Sequence, residues 1–244
     1  MIKKVFRIIK YNFNERKRNK ENIKLTILEN QWAHNFHDSI RGKVWLETLP
    51  LNIGRWAGNY TFFYVLNRIL QDCKPESILE FGLGESSKFI STYLKNDLKN
   101  TKHLIIEHNK EWLNTFILNF NFTENTKIEI CPLIDKKINN KKVSCYKNID
   151  QFLDRKHQLY VIDGPIGSKN YSRYDAVKII DYLNKKDQFI LILDDIQRKG
   201  EKETAKIIFN RLNEKGIKFT KRVYKGNKSV LVIGSEKYKY VNTL

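Results

Sequence analysis

The chain has 244 residues, a formal net charge of +18, and 41% hydrophobic and 12% aromatic residues, which predicts one globular domain with a modest extension. Its three cysteines are scattered without CxxC spacing, which argues against a disulfide framework or a zinc site and favours a reducing compartment. No apolar run approaches the roughly 20 residues of a membrane span, and no secretory signal is recognisable, so we expect a cytoplasmic protein. The charge predicts an anionic partner, such as nucleic acid, an acidic glycan, a phosphorylated lipid carrier or a membrane surface, although Lys and Asn are abundant throughout.

Residues 1–52 are predicted to form a basic helical extension or cap. Within residues 1–24, nine Lys and Arg accompany two Glu, and apolar residues recur on one helical face: Ile2, Val5, Phe6, Ile9 and Phe13. This pattern is typical of a helix that lies on an anionic membrane, here on the cytoplasmic face, and equally of a helix docked on its own domain. Residues 25–52 predict one or two short capping helices.

From residue 53 onward, strands and helices are predicted to alternate. The predicted strands are 77–81, 103–107, 127–133, 159–163, 189–195, 219–224 and 229–233. The predicted helices lie within 54–71, after Gly84, after Asn109, at 149–153, after Ser172 and at 201–214. Asn109 and Ser172 are predicted N-caps of the helices that follow them. The lysine-rich stretch 136–147 is predicted as a loop. Alternation of this kind predicts an α/β, Rossmann-like sheet of seven mostly parallel strands, and Lys225–Lys228 predicts an antiparallel hairpin at its C-terminal end.

The stretch from Ser77 to Phe89 predicts a strand, a glycine turn and a helix. Ile78, Leu79 and Phe81 form an apolar run that ends in Gly82–Leu83–Gly84. Glycines allow a sharp turn and a close approach to a ligand, and a helix N-terminus offers unpaired N–H groups. The stretch therefore predicts a nucleotide-type binding corner.

Acidic residues stand at the carboxyl ends of the predicted parallel strands, where ligands of such sheets bind. They are Glu80, Glu107, Asp163, Asp194 and Asp195. These side chains are the first candidates for binding or chemistry.

The seven strands, the glycine corner and the acid ending the second strand resemble the class I S-adenosylmethionine-dependent methyltransferases. The resemblance covers about Gly54 to Ile233 and makes residues 53–244 the expected methyltransferase domain. It implies that the E/DxGxG motif, here Glu80 to Gly84, surrounds the methionine part of S-adenosylmethionine, and that Glu107 accepts hydrogen bonds from the ribose hydroxyls. The cofactor-binding residues expected on this basis are Glu80, Gly82, Gly84, Ser86, Ser87, Glu107 and Asp163.

Two related families match less well. Nicotinamide-binding enzymes with GxGxxG place a third glycine where this chain has Ser87. Methyltransferases that act on adenine or cytosine have N/DPPY/F after the fourth strand, whereas this chain has Asp163-Gly164-Pro165-Ile166 and lacks the aromatic residue. A nucleic-acid partner is therefore less expected, despite the charge.

The positions of Asp163, Asp194 and Asp195 resemble the catechol O-methyltransferase type. In that type, one Asp after the fourth strand and an Asp-Asn pair after the fifth hold Mg²⁺, an ion that prefers hard oxygen ligands. The resemblance implies a magnesium or similar divalent site at these three residues. Asp195 departs from the pattern, because the family usually has Asn there.

The run VIDGP and the later LILDDIQRKGE resemble the glucuronoxylan 4-O-methyltransferases and related bacterial sugar methyltransferases. That resemblance implies an uronic or phosphorylated sugar acceptor. The substrate residues it implies are Arg173, Asp195, Arg198 and Glu201.

We therefore expect methyl transfer to a sugar hydroxyl of a polysaccharide or a glycan precursor, including an anionic or lipid-linked one. Because an alcohol is a poor nucleophile at neutral pH, a base or a metal must take its proton. Asp163 and Asp194 are the main candidates, with Lys169 in the following loop as a further base. The alternatives are RNA methylation and a non-catalytic module that binds cofactor or a partner.

Overall fold

The computed structural model describes the backbone of residues 2–244 and the side chains of residue 11 and residues 13–244. The helices are α1 (Ile2–Ile40), α2 (Val44–Glu47), α3 (Tyr60–Cys73), α4 (Glu85–Asn96), α5 (Lys110–Asn119), α6 (Asp175–Tyr182) and α7 (Lys199–Glu214). The strands are β1 (Ser77–Phe81), β2 (Lys102–Glu107), β3 (Thr126–Ile130), β4 (Leu133–Ile138), β5 (Lys141–Tyr146), β6 (Leu159–Ile162), β7 (Ile190–Leu193), β8 (Phe219–Tyr224) and β9 (Val230–Ser235). Short 3₁₀ helices span Ile149–Phe152 and Glu236–Asn242.

One sheet contains seven of these strands in the order β3-β2-β1-β6-β7-β9-β8. The pairs among β1, β2, β3, β6 and β7 are parallel, and β9 pairs antiparallel with both β7 and β8. The predicted Rossmann-like sheet with its C-terminal hairpin is confirmed. The strand order reverses between β1 and β6, which is the place where open α/β sheets bind ligands.

Alternate residues of the central strands enter two separate cores, one on each face of the sheet. Ile78 and Val161 belong to the core that contains α3 and α4, whereas Leu79 and Ile162 belong to the core that contains α6 and α7. Because successive strand side chains point to opposite faces, a near-continuous apolar run is what a doubly covered sheet requires. The predicted strands were recognisable for this reason.

Of the two predicted N-caps, Asn109 is confirmed and Ser172 is not. Asn109 caps α5, because its Oδ1 accepts from the backbone N–H of Trp112 at 3.0 Å. Ser172 does not cap a helix, and α6 begins at Asp175. The Ser172 side chain is fully buried, and its Oγ accepts from the N–H of Ser168 at 3.0 Å. Ser172 thus fixes the loop after β6 instead of starting the helix.

The N-terminal region is one long helix followed by a short one. Of the one or two short helices predicted in residues 25–52, α2 is present, whereas residues 25–40 continue α1 and the prediction of a separate helix there was wrong. Phe36 and Ile40 of α1 and Leu46 of α2 lie in the same core as α3. The Glu29 carboxylate is 7% exposed and accepts from the N–H groups of Tyr60 at 2.7 Å and Asn227 at 3.0 Å. Long-range bonds of this kind tie the helix to the domain, and local periodicity does not reveal them.

Residues 11 and 13–24 of α1 contribute no side chain to this core. The side chains of residues 11 and 13–24 are exposed except Glu15, which is partly buried. The side chains of Ile2, Val5, Phe6 and Ile9, which were predicted to form an apolar face, lie outside the described residues. Within the described part of the chain, no helix combines the length and apolar composition that a membrane span needs.

The lysine-rich stretch predicted as a loop is instead the antiparallel hairpin of β4 and β5. Asn139 and Asn140 turn the chain with φ of +47° and +62°, and Asn tolerates this left-handed conformation better than most residues. The prediction failed because exposed lysines conceal the alternation of buried Val143 and Cys145. The hairpin brings the buried Tyr146 towards the ligand edge of the main sheet.

Candidate active site

The turn Gly82–Gly84, called here the glycine corner, lies against the loop that follows β6. Gly82 has φ +97°, and a Cβ there would lie 3.2 Å from the Gly164 Cα. A Cβ on Gly164 would lie 2.8 Å from the Gly82 Cα. The two backbones therefore require glycine at both positions. A Cβ on Gly84 would meet nothing within 4 Å, so the third position of the corner faces open space.

Three residues predicted to bind the cofactor form hydrogen bonds that stabilise the glycine corner from inside the protein. The Ser87 Oγ accepts from the Gly84 N–H at 3.1 Å, and the Ser86 hydroxyl donates to Glu80. Glu80 is fully buried, and its second oxygen lies 2.9 Å from the His103 Nε2. Both Glu80 oxygens are thus used inside the protein. This placement argues against the direct cofactor contacts predicted for Glu80, Ser86 and Ser87, and makes them supports of the turn.

Glu107 ends β2 beside the glycine corner. Its Oε2 accepts from the Leu83 N–H at 2.9 Å, and its Oε1 accepts from the N–H groups of His108 at 2.7 Å and Asn109 at 2.8 Å. Burial opposes ionisation, but hydrogen bonds from the His108 ring and from the Leu83 and Asn109 amides outweigh it, so the Glu107 pKa lies below its usual value. Glu107 is therefore a carboxylate whose Oε2 keeps capacity to accept a ligand hydroxyl.

Sequence reasoning missed two aromatic residues at this edge. The Trp112 Nε1 donates to the Leu83 carbonyl at 2.8 Å, and its side chain is about half exposed. The fully buried Tyr146 hydroxyl has no hydrogen-bond partner among the described residues and lies 2.7 Å from the position of a Gly164 Cβ. The position of Trp112 after the Asn109 cap was a usable signal. Tyr146 had none, because its hairpin was predicted as a loop.

Three aspartates form the second part of the site, called here the carboxylate cluster: Asp163, Asp194 and Asp195. One oxygen from each lies within 4.8 Å of the others. Asp163 follows β6, and the other two follow β7, so the parallel pairing of these strands brings them together. The strand ends predicted that these acids lie at the ligand edge of the sheet, and the resemblance to the catechol O-methyltransferase type implied that the three form one group.

The members of the cluster differ in exposure. The Asp163 side chain is 22% exposed, whereas Asp194 is fully buried and neither of its oxygens has a hydrogen-bond partner among the described residues. Burial, together with the nearby Asp163 and Asp195, raises the pKa of Asp194 to about 8, while Arg173 opposes that shift. Asp163 is thus the carboxylate of the cluster most open to a substrate.

Arg173 joins the cluster and was predicted to bind substrate. Its Nη2 donates to the Asp163 Oδ1 at 2.8 Å and to the Asp195 Oδ2 at 3.0 Å, and its Nη1 donates to the Asp194 carbonyl at 2.8 Å. The Arg173 side chain is only 4% exposed. The guanidinium therefore faces the aspartates, and the predicted substrate contact does not fit this placement.

The predicted divalent metal site was tested against these contacts. The unpartnered Asp194 oxygens are hard donors of the kind Mg²⁺ prefers. An ion bridging the Asp163 Oδ1 and the Asp195 Oδ2 would, however, need the space that the Arg173 Nη2 fills between them. The residues as placed therefore do not fit the predicted divalent ion.

The other predicted substrate residues separate into buried and open ones. Asp195 is 3% exposed and Glu201 is fully buried, so neither faces a substrate directly. Arg198 is half exposed, and its Nη2 lies 3.0 Å from the Asp195 Oδ2. Lys169 is exposed on the loop after β6, and no hydrogen bond or ion pair in the described structure joins it to the cluster. Arg198 is the predicted substrate residue that remains accessible.

The loop before α3 was not predicted to be functional, and it is fixed at both ends. The Asn52 N–H donates to the Glu85 Oε2 at 3.1 Å at the start of α4, and the Ala57 carbonyl accepts from the Lys228 Nζ at 2.7 Å. Between these contacts, the Trp56 side chain is 95% exposed. The loop thus presents a large aromatic side chain to solvent.

Solved structures share this architecture. The O-methyltransferase TomG from Streptomyces achromogenes, involved in tomaymycin synthesis and solved with S-adenosylmethionine, is 10% identical, with 88% of this chain and 99% of that chain covered and a TM-score of 0.56. The O-methyltransferase from Bacillus cereus, solved with S-adenosylhomocysteine, is 10% identical, with 88% and 100% covered and a TM-score of 0.55. This chain has the class I methyltransferase fold. No protein-family model and no curated protein matches it.

Proposed function

We propose that this chain is an S-adenosylmethionine-dependent O-methyltransferase acting on a sugar hydroxyl. The observation that carries the proposal is the contact between the two parts of the site. A Cβ on Gly82 would lie 3.4 Å from the Asp163 carbonyl carbon, so the glycine corner packs against the backbone that carries the open carboxylate of the cluster. A methyl donor at one would lie beside a proton acceptor at the other.

Gly84, Glu107 and Trp112 have different proposed roles in binding S-adenosylmethionine. The open face at Gly84 admits the ligand without a side chain in the way. The ionised Glu107 offers Oε2 to a ribose hydroxyl, and Trp112 borders the same turn through its bond to Leu83. When bound, S-adenosylmethionine supplies an electrophilic methyl group on a sulfonium.

Asp163 is the proposed general base. The acceptor oxygen forms its bond to the methyl carbon while the carbon–sulfur bond breaks, the electron pair stays on sulfur, and the hydroxyl proton passes to the Asp163 carboxylate. Burial raises the pKa of Asp163, and Arg173 counteracts part of that rise. A carboxylate with a raised pKa is a stronger base than a free one, which suits proton abstraction from an alcohol.

Two accessible side chains would suit a sugar acceptor. Trp56 offers an exposed apolar ring face to the C–H groups of a sugar ring, and the half-exposed Arg198 offers donors to a carboxylate or phosphate. The net charge of +18 favours an anionic acceptor, such as a uronic acid, a phosphosugar or a lipid-linked precursor.

The test is transfer of a labelled methyl group from S-adenosylmethionine to a panel of uronic-acid glycans, phosphosugars and RNA. Labelled sugar ether is the expected product, and replacement of Trp56 by Ala should raise KM for that acceptor without changing cofactor affinity. Exclusive labelling of RNA, with steep salt dependence, would support the rival nucleic-acid function. Cofactor binding without transfer to any acceptor would favour the non-catalytic alternative.

We also propose that residues 1–24 contact an anionic membrane surface. Tyr11 and Phe13 are about two-thirds exposed, and they lie near the exposed basic residues Arg16, Lys17 and Arg18. Full-length protein should co-sediment with phosphatidylserine vesicles but not with neutral ones. A chain lacking residues 1–24 that sediments equally well would contradict this contact.

A further inference from the structure

We propose that Arg173 takes the place of a divalent cation at the carboxylate cluster and positions Asp163 as the base, so that this chain needs no divalent metal. The part of this proposal that concerns turnover rests on the proposed function. The part that concerns ion binding does not.

The first argument is the placement of the guanidinium. Nη2 lies 2.8 Å from the Asp163 Oδ1 and 3.0 Å from the Asp195 Oδ2. Mg²⁺ binds oxygen at about 2.0–2.1 Å, so an ion held by these two oxygens would overlap the nitrogen between them. Cation and guanidinium therefore exclude each other at these two oxygens.

The second argument is that the remaining acceptors of Asp195 are already used. Its Oδ2 also receives the Arg198 Nη2 at 3.0 Å, and its Oδ1 accepts from the Gln197 Nε2 at 3.1 Å. Gln197 is itself fixed, because its Oε1 accepts from the Ser229 N–H at 2.8 Å. Asp195 is therefore held by side chains on both oxygens, with the charge matched by two arginines.

The Arg173 guanidinium is buried, and the backbone that carries it is fixed by neighbouring residues. Arg173 has φ +56°, is 4% exposed, and follows the fully buried Ser172. The Thr204 hydroxyl on α7 donates to the Ser172 carbonyl at 2.7 Å, which fixes the backbone that carries Arg173. A planar, permanently charged group fixed in this way can hold the Asp163 carboxylate in one orientation.

The experiment measures Mn²⁺ binding by electron paramagnetic resonance in the full-length wild type and in Arg173→Ala. Removal of the guanidinium leaves three carboxylates and space between them, so the variant should bind one Mn²⁺. The wild type should bind none at concentrations that saturate the variant. Arg211→Gln removes an arginine whose ion pair with Asp181 is on the surface, and should behave like the wild type. Equal Mn²⁺ binding in wild type and Arg173→Ala, or none in the variant, would overturn the proposal.

Turnover supplies a second readout. Wild-type methyl transfer should be unchanged by EDTA or added Mg²⁺, and Arg173→Ala should lower kcat about 100-fold, the cost of a misplaced catalytic group, with little change in acceptor KM. Arg173→Lys, which keeps the charge but not the planar fork, should recover part of kcat. Loss of wild-type turnover in EDTA with recovery in Mg²⁺ would overturn the proposal even if the Arg173 variants fail to fold. Absence of turnover in every protein would contradict the proposed function, and Mn²⁺ binding would still decide the ion claim.

Discussion

At the glycine corner, the buried carboxylates of Glu80 and Glu107 receive protein donors on both oxygens, whereas in the carboxylate cluster the buried Asp194 receives none on either. The pKa of Glu107 is lowered and that of Asp194 is raised to about 8. The carboxylates of the first region are held by protein donors, and the Glu107 Oε2 keeps capacity for a ligand hydroxyl. The second region holds a buried, protonated carboxyl group beside the more open Asp163, and groups with shifted pKa values of this kind are frequent at sites of proton transfer.

The sharpest way to separate the two regions is Asp163→Asn. The amide keeps the size of the side chain but cannot accept the proton, so kcat should fall by about 10²- to 10⁴-fold. Affinity for S-adenosylmethionine should stay within about twofold, because the donor contacts lie in the other region. Steady-state rates and calorimetric titration measure the two quantities. Turnover at the wild-type rate would remove Asp163 from the mechanism.

The reverse pattern is expected for Glu107→Gln. Loss of the charge-assisted bonds should weaken S-adenosylmethionine binding by about 10- to 100-fold, which corresponds to the 1.5–3 kcal/mol of hydrogen bonds to charged groups. At saturating cofactor, kcat should change little. The matched control is Glu111→Gln, which makes the same change at an exposed residue four positions later in the chain. A reduced kcat at full saturation would show that the two regions are not separable.

The two regions should also differ in how they link stability to pH. Asp194 has a raised pKa, so its contribution to the free energy of unfolding is present at low pH and is lost as pH rises towards about 8. Glu107 has a lowered pKa, so its contribution is present above its unfolded-state pKa and is lost in acid. Each contributes at most about 1.4 kcal/mol per pH unit.

Denaturant unfolding at several pH values, in buffer with EDTA, measures this difference. Asp194→Asn should flatten the decline in unfolding free energy between about pH 5 and pH 8, and Glu107→Gln should flatten the decline in acid. Identical pH profiles for wild type and Asp194→Asn would contradict the burial of an unpaired, protonated carboxyl group.

The smallest expected effect is that of Trp112→Phe. The ring keeps most of its packing but loses the Nε1 bond to the Leu83 carbonyl, worth about 1 kcal/mol, so cofactor affinity should fall by about two- to fivefold. In the wild type, cofactor binding should change the Trp fluorescence, and that change should be smaller in the variant. An unaltered fluorescence response would place the donor away from Trp112.

The sequence was sufficient to predict features that depend on a residue's own type and on its position in a strand or helix. Apolar runs predicted the strands, and Asn109 predicted a cap. Position in a parallel sheet placed the acids at the ligand edge, and the family resemblance grouped three of them as the cluster. The sequence was insufficient where partners lie far apart in the chain. Nothing local indicates that Arg173 turns inward to Asp163 and Asp195, or that Ser87 bonds the Gly84 amide instead of a ligand.

The same limit explains the two errors in secondary structure. In α1, Glu29 bonds Tyr60 and Asn227, which are remote in sequence and tie this part of the helix to the domain. The hairpin of β4 and β5 depends on alternating burial that its exposed lysines conceal. In both places, tertiary contacts decided a structure that the local pattern left open.

Calorimetric titration of the full-length protein with S-adenosylmethionine, and separately with a nicotinamide dinucleotide, decides which cofactor the glycine corner binds. We expect one site for S-adenosylmethionine, weakened in Glu107→Gln and retained in Asp163→Asn, and no binding of the dinucleotide. Binding of the dinucleotide in place of S-adenosylmethionine would show that the glycine corner is not a methyl-donor site.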